Sequence, residues 1–106
     1  MQEELKWIKH IQKRHSRKDA ERLIQKYYDE IYIYVYRQTG NKEDSLDLTQ
    51  EIFIAVLRSI SNYQSDKASF RTWMYRIATN KIIDTLTGVR RLQHSSKHGR
   101  KILNTG

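Results

Sequence analysis

The stretch SFRTWMYRIATNKIIDTL, Ser69 to Leu86, decides how this chain folds. Phe70, Trp73, Met74, Ile77, Ala78 and Ile82 recur at helical spacing, with Leu86 one turn further on. Ser69 stands where a helix N-cap belongs. The same helix carries Arg71, Arg76 and Lys81 against a single acid, Asp84. A helix that only closed a core would mix both charge signs on its wet face. At about 100° per residue, Arg76, Asn80 and Lys81 project away from the apolar side, with Thr72, Thr79 and Ile83 between or beside them. Cations bind phosphates, and short amides and hydroxyls reach phosphates or base edges. Trp73 lies mid-stripe and reads as core; Tyr75 lies off the stripe and is the better ring for stacking on a base.

Working back along the chain, three more helices precede this one. Residues 3–14 place Leu5, Ile8 and Ile11 at helical spacing beside Trp7. HSRKD makes a polar joint in which Ser16 caps a second helix, with Asp19 three residues later. That helix runs over about 17–38 on a stripe of Leu23, Tyr27, Ile31, Tyr34 and Val35. YYDEIYIYVYR also alternates, but about 20 residues without a turn signal are too many for a strand. Gly40 ends the helix, and Asn41 or Asp44 opens a third that reaches about Ser61. Its stripe is Leu48, Ile52, Val56 and Ile60, widened by Phe53 and Leu57. SNYQSDKAS is a polar loop. The expected fold is therefore all-α: a compact bundle of four helices, three forming the core and the N-terminal one laid across them. The domain is expected over 1–87, and 88–106, without sustained periodicity, reads as a flexible basic tail or the start of a linker.

Composition narrows the function. The chain has 106 residues, no cysteine and no proline, and a net charge of +8. Without cysteine there is neither a disulfide framework nor a thiolate metal site, which fits a reducing, cytoplasmic setting. No apolar run approaches the ~18 residues of a membrane span, and MQEELKWIKH lacks a signal-peptide centre. Residues 1–66 hold eleven Lys/Arg and eleven Asp/Glu; residues 67–106 hold nine Lys/Arg and one acid. The whole excess thus sits in the last 40 residues, the footprint of a surface that meets a polyanion; a solvated basic tail is the other reading. In the third helix Asp47, Gln50 and Glu51 share one polar face at i, i+3 and i+4. A face of that kind suits docking on another protein, or plain solvation, better than acid–base chemistry. His94 and His98 have the i, i+4 spacing zinc uses, but no carboxylate or cysteine stands near them, so neither a metal nor a cofactor is expected.

DLTQEIFIAVL, followed about a dozen residues later by SFRTWMYRIATNKIIDTL, closely resembles region two of bacterial sigma factors of the extracytoplasmic-function type. The resemblance runs from about Lys18 to Leu86. Its paired motif, D-L-x-Q-E-x-F then S-F-x-x-W-x-Y-R-I-A-x-N-x-x-x-D, is specific. It implies a cytoplasmic, non-enzymatic factor that joins core RNA polymerase, and an anti-sigma factor as a further partner. Asp47, Gln50, Glu51 and Ile54 would meet the clamp helices, a coiled coil of the β′ subunit, with Leu48 and Phe53 in the core. The loop from Tyr63 to Ser69 would accept a flipped base of the promoter −10 element. Tyr63, Ser65, Lys67, Ser69, Phe70, Arg71, Tyr75, Arg76, Asn80 and Lys81 would contact the opened non-template strand, and Asp84 would orient basic neighbours.

The match also departs from the family. Thr87 and Gly88 interrupt the basic run that usually follows Asp-x-Leu, so that Arg90 and Arg91 come later. The helix-turn-helix domain that reads the −35 element has no counterpart in these residues, which end about where the interdomain linker would begin. Two rivals come from other classes. One is a regulatory module that binds polymerase or an anti-sigma factor without specific DNA recognition. The other is a nuclease built on Asp47, Glu51 and Asp84.

Overall fold

In a computed structural model, which describes residues 2–88, the chain forms α1 (Gln2–Arg14), α2 (Arg17–Thr39), α3 (Lys42–Ser59), a single 3₁₀ turn (Ile60–Asn62) and α4 (Phe70–Thr87). The fold is the all-α bundle expected. Residues 89–106, which hold most of the anticipated basic tail with Arg90, Arg91, His94 and His98, lie outside the described residues.

Local chemistry sets the helix ends. Ser16, Asn41 and Ser69 each cap a helix by accepting a hydrogen bond from the backbone N–H three residues on. The second half of a capping box does not form at Ser16, because the Asp19 carboxylate turns instead to His10 and Arg22. Gly40 closes α2 at φ 67°, a left-handed conformation that costs glycine little. His15 takes a similar conformation at φ 55° between α1 and α2, with a side chain that disfavours it.

The core sits among α2, α3 and α4, where Ile31, Val35, Ile52, Met74 and Ala78 are wholly buried. α4 buries Phe70, Met74, Ala78 and Ile82, each four residues after the last. Contacts between α2 and α4 ascend together, from Tyr27 with Phe70 to Tyr34 with Thr79, so the two helices run parallel. α1 packs antiparallel to α2 and adds Ile8 and Ile11. Leu5 and Leu86, read as members of apolar stripes, are exposed. Leu86 loses its cover because α2 has already ended at Thr39.

Two ion clusters tie α1 to α2. Lys26 and Tyr27 donate to the Glu4 carboxylate at 2.7 and 2.5 Å. Asp19, buried, lies 2.7 Å from His10 Nδ1 and also accepts from Arg22. Burial pushes Glu4 up, but Lys26 and Tyr27 outweigh it and hold the carboxyl below its usual range. At Asp19 the bond from His10 is the largest influence and lowers the carboxyl against the opposing effect of burial.

Both carboxyls therefore stabilise the fold fully above the ordinary carboxylate pKa of about 4, and the contribution is lost as pH falls through their lowered folded values. Thermal melts should weaken progressively from about pH 4 downward, and Glu4→Gln should flatten that dependence. A second expectation concerns Thr49, whose hydroxyl is fully buried with no hydrogen-bond partner among the described residues. Thr49→Val should raise stability by about 1 kcal/mol in urea denaturation, since it removes an unpaired polar atom at nearly constant volume.

Candidate nucleic-acid interface

On α4 the four-residue burial pattern leaves a continuous outer stripe. Thr72, Arg76, Asn80, Ile83 and Thr87 follow one another down the helix, and all are exposed. Lys81 points to a different side and is half-buried; Asp84 is exposed. Among the described residues, no carboxylate lies within ion-pairing distance of Lys67, Arg76 or Lys81. These cations are open to an external anion. Asp84 likewise has no ion pair among the described residues.

The loop before α4 is braced from three sides. Gln12 of α1 donates its side-chain amide to the carbonyls of Ile60 (2.8 Å) and Tyr63 (3.1 Å). The Tyr63 hydroxyl donates to the Ala68 carbonyl at 2.7 Å, closing the loop across its base. The Tyr63 ring meets Phe70 edge-on at 5.6 Å and Trp73 at 5.2 Å, and Phe70 and Trp73 lie 5.7 Å apart. Burial pushes the Tyr63 hydroxyl up, so it remains a donor at neutral pH. Gln64, Ser65, Asp66 and Lys67 form the exposed tip. A cavity of about 360 Å³ separates that tip from α1, where Leu5, Lys9 and Gln12 line it.

The residues of the expected contact set differ in exposure. Tyr63 and Phe70, at 6% and 2% exposure, are buried beneath the loop. Trp73, read as core, is only half-buried and caps the same ring cluster at the surface. Ser65, Lys67, Ser69, Arg76 and Asn80 are exposed.

Arg71 and Tyr75 are already engaged. Both donate to Oε2 of Glu30 on α2, Tyr75 at 2.8 Å. The Arg71 guanidinium also lies 5.4 Å from the Tyr27 ring centroid, a cation–π distance. Burial first, and then the bond to Glu30, pushes the Tyr75 hydroxyl up to about 12. The Tyr34 ring meets Tyr75 edge-on at 4.9 Å, and its hydroxyl bonds Thr79 at 2.8 Å.

Sequence reasoning passed over Glu30 and Gln12. Helical spacing does put Glu30 beside Tyr27 and Tyr34, at the edge of the α2 stripe. Its partners lie 41 and 45 residues away, however, and no local pattern announces them.

On α3, Asp47, Gln50 and Ile54 are exposed and Glu51 is half-buried, all on one face at i, i+3, i+4 and i+7. Leu48 and Phe53 are buried beneath them. The acids Asp47 and Glu51 lie on α3 and Asp84 on α4; among the described residues, no three His, Asp or Glu side chains gather to hold a metal ion. No helix among them is long and apolar enough to cross a membrane.

Comparison with known proteins agrees with this architecture. Residues 23–92 match the family model for sigma-70 region 2, about two-thirds of the chain, so the chain belongs to that family. Its relatives place it with the extracytoplasmic-function type. It is 45% identical over 62 residues to the ECF RNA polymerase sigma factor SigE of Mycolicibacterium smegmatis, covering 58% of this chain and 23% of that protein. It is 39% identical over 64 residues to SigW of Bacillus subtilis, covering 60% and 34%. It is 36% identical over 63 residues to BldN of Streptomyces coelicolor, covering 59% and 24%. The matched segment thus spans about a quarter to a third of these relatives' own length.

The brace on the loop gives a direct expectation. Gln12→Ala should lower stability by about 1 kcal/mol and speed amide exchange at Tyr63 more than at core positions such as Ile52.

Proposed function

We propose that this domain brings core RNA polymerase to promoters by holding two partners on two helices. The α3 face of Asp47, Gln50, Glu51 and Ile54 docks on the β′ clamp helices. The α4 stripe and the preceding loop capture the opened non-template strand of the −10 element. In this reading the domain is a binding and melting factor, not a catalyst.

The observation that carries this reading is the exposed Arg76–Asn80 stripe, without an ion pair among the described residues, which follows a loop hydrogen-bonded by Gln12, Tyr63 and Ala68. Extruding a base costs a few kcal/mol of stacking and pairing. A ring platform returns roughly 1–3 kcal/mol per base, and edge hydrogen bonds add to that. Trp73 is a half-exposed ring on α4 beside this stripe and the loop cluster, and takes the stacking role first given to Tyr75, whose hydroxyl is engaged by Glu30. Arg76 and Lys67 contact the backbone, Ser65 and Ser69 supply loop hydroxyls, Asn80 reads a base edge, and Lys81 adds charge from the side. The basic third of the chain then makes affinity fall steeply with salt.

The α3 face suits a protein partner because it mixes acids, an amide and an exposed isoleucine, 51% open, in one helical row. Membership of the sigma-70 region 2 family supports core RNA polymerase as that partner.

The two surfaces should separate by mutation. Arg76→Ala with Asn80→Ala should weaken binding to a single-stranded −10-type oligonucleotide about tenfold or more while leaving association with core polymerase unchanged. Asp47→Lys should do the reverse, with an unaltered circular-dichroism melt in both cases. Retained oligonucleotide binding by the α4 double variant at low salt would favour the protein-interaction module instead.

A further inference from the structure

Glu30 stands where α2 passes the start of α4. One carboxylate oxygen, Oε2, accepts from both the Arg71 guanidinium and the Tyr75 hydroxyl. A planar cation and a phenol converging on a single anionic oxygen are also what a phosphate oxygen accepts. The donors are preset: Arg71 rests over the Tyr27 ring, and Tyr34 packs edge-on against Tyr75. The cluster is reachable, since the Arg71 side chain is 55% exposed and that of Glu30 33%. It also lies on α4 within one turn of Thr72 and Arg76, the head of the outer stripe.

We infer that Arg71 and Tyr75 form a binding site for a nucleic-acid backbone phosphate, and that Glu30 keeps it occupied with an intramolecular substitute anion. A strand can enter only by displacing the Glu30 carboxylate. This inference rests on the reading of α4 as a nucleic-acid surface. It adds a residue that limits affinity: Arg71 contributes little while its charge is neutralised from within. A strand held only by general charge attraction cannot open the site, whereas one already seated on the loop and the Arg76–Asn80 stripe can. Glu30 thereby lowers indiscriminate binding relative to productive capture.

The test is a double-mutant cycle on the whole chain, with a short fluorescent single-stranded DNA of mixed sequence as probe, titrated across a range of salt. Glu30→Gln keeps an acceptor for Tyr75 and removes the charge. It should bind roughly three- to tenfold more tightly at low salt, about the worth of one charge-assisted contact. Its salt slope should steepen by about 0.7, the value for one more single-strand phosphate. Arg71→Ala alone should change affinity less than about twofold, and in the Glu30→Gln background it should erase the gain. Glu30→Asp, one methylene short of its partners, should give a smaller rise in the same direction, and provides the reading if the Gln variant loses its cooperative melt. Unchanged or weaker binding by folded Glu30→Gln, or an equal cost of Arg71→Ala in both backgrounds, overturns the inference. If those results come with binding that Arg76→Ala still weakens, only the inference falls. If neither wild type nor Glu30→Gln binds single strands at all, the α4 reading falls with it.

Discussion

The arrangement depends on how narrowly α4 is buried. Phe70, Met74, Ala78 and Ile82 lie four residues apart and seat the helix through one strip. Ala78, wholly enclosed, is small enough to let α4 lie close on its neighbours without a bulky contact at mid-helix. With so little circumference given to the core, the remainder of α4 is available to the outside: one flank against α2, one toward the loop's rings, and the stripe from Thr72 to Thr87 in solvent. A wider apolar face would have stabilised the bundle further and left no room for that stripe.

Much of this was legible along the chain. Apolar residues at helical spacing marked all four helices, and polar or glycine residues marked the breaks between them: Ser16, Gly40, Asn41 and Ser69 act at the ends for the local reasons that made them recognisable. The paired motif DLTQEIF and SFRTWMYRIATN carried the family. What escaped was the side-by-side placement of distant segments. Phe70 looked half available because it opens a helix beside a polar loop, yet Tyr63 and Tyr27 close over it from seven residues away and from another helix. Leu86 looked buried because its spacing continues the stripe, yet nothing on α2 extends far enough to cover it. Glu30 could not be valued at all until α2 and α4 were seen to run parallel.

Two of the tyrosines of α2, Tyr27 and Tyr34, serve the same parallel pairing. Tyr27, Tyr34 and, across the interface, Tyr75 each place a ring between helices and a hydroxyl at their margin. Each ring contributes packing area, and each hydroxyl finds a partner on a different helix. The result is a seam that is apolar inside and hydrogen-bonded along its edge, which fixes the rotation of α4 as well as its distance from α2. Because α3 shares the same core through Ile52 and Val56, its outer row holds a set orientation relative to that of α4.

The hollow of about 360 Å³ between α1 and the loop tip has a mechanical consequence. Leu5, Ile8, Lys9 and Gln12 of α1 line it on one side and Tyr63 to Asp66 of the loop on the other, and no residue of the α4 stripe borders it. A wedge seated there would press on the segment that Gln12 restrains and deform the loop without competing for the stripe itself. Such a molecule would touch Ser65 of the loop as well as α1, so it would act through the loop's shape and not through the stripe.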